Sequence, residues 1–212
     1  MATIYDVAAY AGVSPKTVSR VINGDAPVSD KTRAKVETAI AALGYIPSSA
    51  ARVMRSNRSD LVGLITGAIS RTGEYGGVHG LPDMFLIKGI QQKIREAGKT
   101  LMIADTDNRY EQIDPLVRTF MEHRAEGILY VTESHREIVL PEMPNRCPMV
   151  LVNCFDAAGT PSVLPDDERG QYDLVRNIIR HGHRRIAYIT LQAGAEATRL
   201  RLAGYRRALD ES

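Results

Sequence analysis

Two short helical patterns in residues 4–23 meet at Gly12-Val13-Ser14, and they constrain the fold of the N-terminal region. Gly12 suits the end of the first helix because a tight turn there leaves no room for a Cβ atom. Ser14 can cap the second helix, and Pro15 suits its first position, where no backbone donor is needed. The first pattern places four apolar residues at helical spacing: Ile4, Val7, Ala8 and Ala11. The segment is therefore predicted to be a helix-turn-helix.

The second helix of this motif presents polar side chains on one face. Val18 and Ile22 can pack inward at i, i+4, which leaves Lys16, Thr17 and Arg20 pointing outward. Because a helix-turn-helix places its second helix in the major groove, these three side chains could contact DNA. Alanine-rich helix pairs in general show the same pattern, so the motif taken alone leaves a purely structural role open.

The residues that follow are expected to complete a small helical domain. A third helix is predicted at 30–43, with Ser29 as its cap and an apolar stripe of Val36, Ala39, Ile40 and Leu43. Beyond it, Ser48 can cap a short helix that ends near Met54 or Arg55. A helix of that length does not persist alone, so it needs a partner.

The headpiece sequence includes the segments Ile4-Tyr-Asp-Val-Ala, Ala11-Gly-Val-Ser, Thr17-Val-Ser-Arg-Val-Ile-Asn, Val28-Ser, Thr32-Arg and Gly44-Tyr-Ile-Pro. Together they resemble the DNA-binding headpiece of the lactose/galactose repressor (LacI/GalR) family. The resemblance implies that Pro15, Lys16 and Arg20 occupy the base-reading positions. It assigns phosphate contacts and capping to Ser14, Thr17, Ser19 and Asn23. Pro15 offers no side-chain donor, so direct readout is expected to depend on Lys16 and Arg20.

The same resemblance implies a hinge that contacts the minor groove through Ala51 and Met54. Family members usually carry leucine at the position of Met54. Paired hinge helices from two subunits insert that side chain into a central base step and bend the operator. Methionine is apolar and more flexible than leucine, so Met54 can serve as the wedge.

Charge and composition agree with this assignment. Residues 1–60 hold eight Lys/Arg against five Asp/Glu, and the remainder holds nineteen against twenty. The basic excess therefore lies in the helical domain, where it favours contact with DNA. The sequence shows neither a signal segment nor an apolar run long enough to span a bilayer, so a cytoplasmic protein without membrane contact is expected. Two cysteines and five histidines fit no ligand spacing, so neither a metal site nor a cofactor is predicted.

The rest of the chain alternates strand and helix patterns. Strands are predicted at 61–66, 100–104, 127–131, 148–153 and 185–190, and helices at 84–97, 111–123, 135–140 and 167–182. Regular alternation of this kind predicts a parallel sheet covered on both faces. Ligands of such sheets bind beyond the carboxyl ends of the strands, here just after Thr66, Ala104, Val131 and Val152. The glycines between 63 and 80 match no nucleotide-binding motif.

This region resembles the effector domain of the same family, which is built like periplasmic sugar-binding proteins. The matching segments include Val62-Gly-Leu-Ile, Pro148-Met-Val-Leu-Val-Asn, His181-Gly-His-Arg-Arg-Ile-Ala and Arg201-Leu-Ala-Gly-Tyr. The resemblance implies that Arg201 hydrogen-bonds a small-molecule, sugar-like effector, with Asn153 and Asp166 as further ligand contacts. Asp166 and Asp167 could instead cap the following helix, and capping is the expected role of Asp167. Family members often carry two aromatic residues at the start of the first effector-domain helix, where this sequence has Pro82 and Asp83. The identity of the effector can therefore not be transferred from the family.

Four segments are expected: a headpiece at 1–46, a hinge at 47–59, and two partial effector subdomains at 60–158 and 159–212. The second subdomain is expected to be partial because family members are longer, and we hypothesise that the chain cannot form a complete cleft. The predicted function is a repressor that binds a palindromic operator as a homodimer or higher homo-oligomer. A transport-type solute-binding protein is disfavoured by the headpiece. A small α/β enzyme lacks support from any nucleophile elbow, metal cluster or nucleotide loop.

Overall fold

The computed structural model describes residues 2–24, 27–47, 58–67, 83–107, 109–141 and 147–212. The chain divides into two compact units, Met1–Arg58 and Ser59–Ser212. The four-segment division predicted from the sequence is finer than this, and its inner boundaries remain predictions. Among the helices in the described ranges, none is long and apolar enough to cross a membrane.

Unit 1 is built from three helices whose ends are set by their caps: α1 (Ile4–Ala11), α2 (Pro15–Asn23) and α3 (Asp30–Leu43). Thr3 and Asp6 form a capping box, in which the Thr3 N–H donates to Asp6 Oδ2 at 2.7 Å. Gly12 ends α1 at a φ of 65°, the left-handed conformation that glycine adopts most easily. The predicted helix-turn-helix, its third helix and the caps at Ser14 and Ser29 are therefore confirmed.

The core of unit 1 lies where the three helices meet. Val7 of α1, Val18 of α2 and Val36 of α3 are all completely buried. Val21 is the second buried residue of α2, whereas Ile22 is only partly buried against the same cluster. The expectation that Val18 and Ile22 both pack inward is therefore confirmed, although Val21 is buried more deeply than Ile22.

Unit 2 contains a five-stranded sheet in the order β2-β1-β3-β4-β5, and its strand pairs are all parallel. The strands are β1 (Leu61–Thr66), β2 (Thr100–Asp105), β3 (Ile128–Ile138), β4 (Met149–Asp156) and β5 (Ser162–Val163). The helices are α4 (Asp83–Glu96), α5 (Ile113–Glu122), α6 (Asp167–Arg180) and α7 (Glu196–Asp210), with a 3-10 turn at Tyr110–Gln112. The parallel sheet predicted from the sequence is confirmed.

Adjacent residues of β1 show that the sheet is covered on both faces. Leu64 belongs to a buried cluster with Ile87 of α4, whereas Ile65 belongs to another with Phe120 of α5. Successive side chains of a strand point to opposite faces, so the two clusters lie on either side of the sheet. The burial of β1 from Gly63 to Thr66 follows directly from this arrangement.

Two predicted elements differ from the structure. Residues 135–140 were expected to form a short helix, but β3 continues to Ile138 and pairs with β4 beyond a register break between Val131 and Arg136. Pairing with β4 therefore overrides the local helical pattern. Residues 185–190 were expected to form a strand, but within the described parts of the chain they pair with no neighbouring strand. A strand depends on such a neighbour, whatever its own sequence favours.

Candidate nucleic-acid interface and ligand site

The first turn of α2 carries four of the residues assigned to DNA contact. Ser14 Oγ accepts from the Thr17 N–H at 3.1 Å and lies 2.9 Å from Thr17 Oγ1. Pro15 takes the first helical position, where it needs no backbone partner. Lys16 and the following-turn residue Arg20 are exposed to solvent. This face of α2 therefore combines a rigid, capped helix start with two exposed cations.

Two further residues assigned to DNA contact, Ser19 and Asn23, hydrogen-bond each other at the C-terminal end of α2. Asn23 Nδ2 donates to the Ser19 backbone oxygen at 2.7 Å and to Ser19 Oγ at 3.1 Å. Asn23 is exposed and Ser19 is half-buried, so both lie at the surface of the helix. Ala51 and Met54, the predicted hinge contacts, lie outside the described residues.

A polar cluster in unit 2 joins three elements. Asp167, at the start of α6, accepts hydrogen bonds through both carboxylate oxygens. Arg201 Nε of α7 donates to Oδ1 at 2.7 Å, and His135 Nδ1 of β3 donates to Oδ2 at 2.8 Å. The Asp167 side chain is only 3% exposed, whereas that of Arg201 is 40% exposed. The cluster therefore holds a buried carboxylate beneath an accessible guanidinium.

The two neighbouring aspartates exchange the roles expected of them. Asp166 Oδ1 accepts from the Arg169 N–H at 3.1 Å, so Asp166 is the N-cap of α6 and is exposed. Asp167 lies inside the first turn and contacts Arg201 instead. The expectation that Asp167 is the capping residue was wrong, because Asp166 holds the N-cap position and its side chain accepts from a free N–H group of the first turn.

Asn153 occupies a buried position in β4. Its Nδ2 donates to the Thr132 backbone oxygen at 3.0 Å, and Thr132 Oγ1 donates to the Asn153 backbone oxygen at 2.9 Å. Asn153 has a φ of 61°, which is uncommon for a residue other than glycine. This reciprocal pair lies at the register break between β3 and β4. The structure therefore brings Arg201 together with Asp167, whereas Asn153 and Asp166 each hold other partners.

A cavity of about 260 Å³ opens at the carboxyl ends of the central strands. Its lining includes Gly67, Thr106, Arg109, Tyr130, Thr132 and Arg136. Burial raises the pKa of Tyr130, so its phenol stays protonated and can donate a hydrogen bond. The cavity lies where parallel-sheet topology places ligand sites, but Arg201, Asn153 and Asp166 are not among its lining residues.

Sequence reasoning missed His135 and understated Asp167. His135 stood within an expected helix, and residues 135, 167 and 201 are too far apart in sequence to form a motif. Only the register break of β3 and the packing of α6 and α7 bring them together. In the described residues, no group of three or more His, Cys, Asp or Glu side chains could hold a metal ion.

Comparison with known protein families matches both parts of the chain. The model for bacterial regulatory proteins of the lacI family matches residues 3–48. The model for periplasmic binding proteins and the sugar-binding domain of the LacI family matches residues 84–212. The helical unit and the α/β unit therefore each correspond to a domain of the same family.

Individual relatives agree with these matches. The chain is 36% identical to the ribose operon repressor of Escherichia coli K12, over 99% of this chain and 62% of that protein. It is 33% identical to catabolite control protein A of Priestia megaterium, over 99% of this chain and 61% of the relative. The chain thus spans about three fifths of the length of these relatives.

Solved structures of LacI-family regulators are similar to this chain. The lac repressor dimer bound to operator and the anti-inducer ONPF superposes with a TM-score of 0.76 at 28% identity, over 99% of this chain and 62% of that one. A LacI-family regulator from Rhizobium etli gives 0.62 at 36% identity, over 73% and 53%. One family model covers most of the chain, a second covers the headpiece, and a relative aligns along 99% of the chain. The chain therefore belongs to the LacI family of bacterial regulatory proteins.

Proposed function

We propose that this protein is a cytoplasmic, sequence-specific DNA-binding repressor that acts as a homodimer on a near-palindromic operator. The observation that carries the proposal is the exposed face of α2, where Lys16 and Arg20 project from a capped helix within a lacI-type headpiece. Two copies of such a helix, related by two-fold symmetry, match two half-sites of an inverted repeat.

In this proposal the residues of α2 divide into two groups. Lys16 and Arg20 carry donors that can reach guanine O6 and N7 in the major groove. Pro15 contributes only shape at the neighbouring position, since its side chain has no hydrogen-bonding atom. Phosphate contacts, which fix the helix on the duplex without reading sequence, are assigned to Ser14, Thr17, Ser19 and Asn23.

The hinge is proposed to complete DNA binding. Ala51 and Met54 would contact the minor groove, with the Met54 side chain inserted at the central base step. Two hinge segments brought together on one operator stabilise each other, which makes hinge formation dependent on DNA and on the dimer. Because the two hinge segments must pair, operator affinity depends on the distance between the two subunits.

Regulation is proposed to act through a small-molecule effector bound near Arg201. A guanidinium presents a fixed fork of donors that suits vicinal hydroxyl groups, and the Arg201 side chain is partly accessible. A relative named as a ribose operon repressor makes D-ribose the first effector to test. Effector binding and operator binding are then coupled, so each changes the affinity for the other.

Selection from a random DNA pool tests the DNA-binding proposal and identifies the operator sequence in the same experiment. The expected result is enrichment of an inverted repeat, with one dimer bound per selected duplex in light scattering. Affinity for the selected duplex should exceed that for a scrambled duplex of equal length by about 10³-fold or more at fixed salt. Enrichment of no motif, or equal affinity for both duplexes, would contradict the proposal.

A further inference from the structure

We propose that Asp167 is a positioning and specificity residue: it orients the guanidinium of Arg201 and makes the site selective for an uncharged, hydroxyl-rich ligand over an anionic one. The inference rests on the proposed effector function and refines it by naming the ligand class. It depends on the two hydrogen bonds to the Asp167 carboxylate, its burial, and the charges around it.

Asp167 fixes the orientation of Arg201 through a single nitrogen of the guanidinium. Its Nε donates to Asp167 Oδ1 at 2.7 Å, so the carboxylate does not occupy the two Nη groups through this bond. The guanidinium is planar, and fixing the Nε–H direction restricts the plane in which the Nη donors lie. Asp167 cannot itself swing away, because its other oxygen is held by His135 at 2.8 Å. Arg201 is therefore held ready for a ligand before any ligand arrives.

His135 is in turn fixed by its surroundings. It is 7% exposed, and its ring meets the Phe155 ring edge-on, with centroids 5.8 Å apart and planes at 82°. Since a carboxylate accepts, Nδ1 of His135 carries the hydrogen of the shared bond. The sheet therefore supports Asp167 through the carboxylate oxygen Oδ2, whereas Arg201 Nε bonds Oδ1.

The carboxylates around Arg201 determine which ligands its guanidinium can attract. The Asp167 carboxylate balances the positive charge of Arg201 at a distance of 2.7 Å. Glu196, in the first turn of α7, adds a second carboxylate, whose pKa is lowered mainly by its hydrogen bond to Arg199 and also by its Coulombic interaction with His135. A phosphate or carboxylate ligand on Arg201 would stand close to the buried Asp167 anion and be repelled, whereas hydroxyl groups would meet no such penalty.

A role confined to structure is the alternative. Asp167 joins β3, α6 and α7, so it could simply hold these elements together. In that case its replacement would change stability without changing which ions Arg201 binds. A measurement of anion binding at Arg201 therefore distinguishes a structural role of Asp167 from a positioning and specificity role.

The test uses inorganic phosphate as the anionic probe and NMR of arginine Nε–H groups in the full 212-residue chain. The Arg201 signal is assigned by its loss in Arg201→Lys. In the unaltered protein, the Arg201 Nε–H hydrogen should exchange slowly with solvent, and its NMR signal should not shift when phosphate is added. In Asp167→Asn, phosphate should shift this signal in a saturable way, with apparent affinity raised about tenfold or more. Asp173→Asn is the matched control, because it frees exposed Arg169 on the same helix and should leave Arg201 unchanged.

His135→Gln is the second variant if Asp167→Asn does not fold. It keeps the carboxylate but loosens it, so the Arg201 Nε–H should exchange faster while phosphate binding stays weak. The proposal is overturned if phosphate shifts Arg201 equally in the unaltered protein and Asp167→Asn, or if the unaltered protein binds phosphate at Arg201. It is also overturned if the Arg201 signal exchanges as fast as that of Arg169. None of these readings requires DNA or a sugar, so failure of the proposed function would be seen separately.

Discussion

Gly204 of α7 lies directly against the backbone oxygen of Glu168 in α6. A Cβ atom at Gly204 would overlap that oxygen and would stand 3.0 Å from both the Glu168 carbonyl carbon and the Tyr172 nitrogen. Around this contact the Arg207 guanidinium pairs with the Glu168 carboxylate and lies 4.3 Å from the centroid of the Tyr172 ring. The absence of a side chain at residue 204 therefore permits the α6–α7 packing that carries Asp167 to Arg201.

Replacing Gly204 with alanine should destabilise unit 2. The added methyl group must push the two helices apart, because the atoms it meets belong to the backbone. The expected loss is about 1–3 kcal/mol in the free energy of unfolding, measured by urea denaturation. Gly170→Ala in α6 is the matched control: its Cβ would meet open space, so it should be neutral or stabilising by up to about 1 kcal/mol. Equal effects of both changes would contradict the packing argument.

Arg20→Ala should weaken sequence discrimination and leave nonspecific binding to DNA. Loss of one bidentate base contact is expected to reduce affinity for the selected duplex by about 1–3 kcal/mol. Affinity for scrambled DNA should fall only slightly and keep its dependence on salt. Titrations of both duplexes at fixed salt measure the ratio of the affinity for the selected duplex to the affinity for the scrambled duplex. Lys35→Ala removes one exposed charge from α3 and should leave that ratio unchanged; an unchanged ratio in Arg20→Ala would argue against its base-reading role.

Arg201→Ala should abolish the response to effector while operator binding remains intact. The change removes the accessible guanidinium of the proposed ligand site, which belongs to unit 2, whereas the proposed base-reading residues belong to unit 1. D-ribose is the first probe, and its effect on operator affinity is measured by fluorescence anisotropy. Arg199→Ala, which removes the partner of Glu196 from the exposed side of the same helix, serves as the control and should respond like the unaltered protein. A normal response in Arg201→Ala would exclude it as a ligand contact.

The two cysteines should react with thiol reagents far more slowly than a free thiol. Burial raises the pKa of both Cys147 and Cys154, which lowers their thiolate fraction at any given pH. Cys154 is completely buried and Cys147 only partly, so Cys147 should react first. Labelling with DTNB should speed up as pH rises towards the raised pKa values, and both thiols should react at once in denaturant. Fast native labelling of Cys154 would contradict its burial.

Local pattern was enough for much of the fold. The caps at Ser14 and Ser29, the bounds of α1 to α3 and the start of each strand from β1 to β4 depend on neighbours within a few residues, and the sequence placed them to within about one residue. The headpiece motif and the family followed from the same short segments. The exceptions, residues 135–140 and 185–190, depend on a strand partner that local pattern does not contain.

The sequence by itself determined the family, the helix-turn-helix and the parallel sheet, because hydrophobic period, capping residues and turn glycines act over one or two turns of chain. Only the tertiary structure decided that Asp166 caps α6 while Asp167 turns inward to His135 and Arg201. Residues 135, 167 and 201 meet because β3 breaks register and α7 approaches α6 at Gly204. Contacts over such separations depend on how whole elements pack, and no spacing in the chain encodes them.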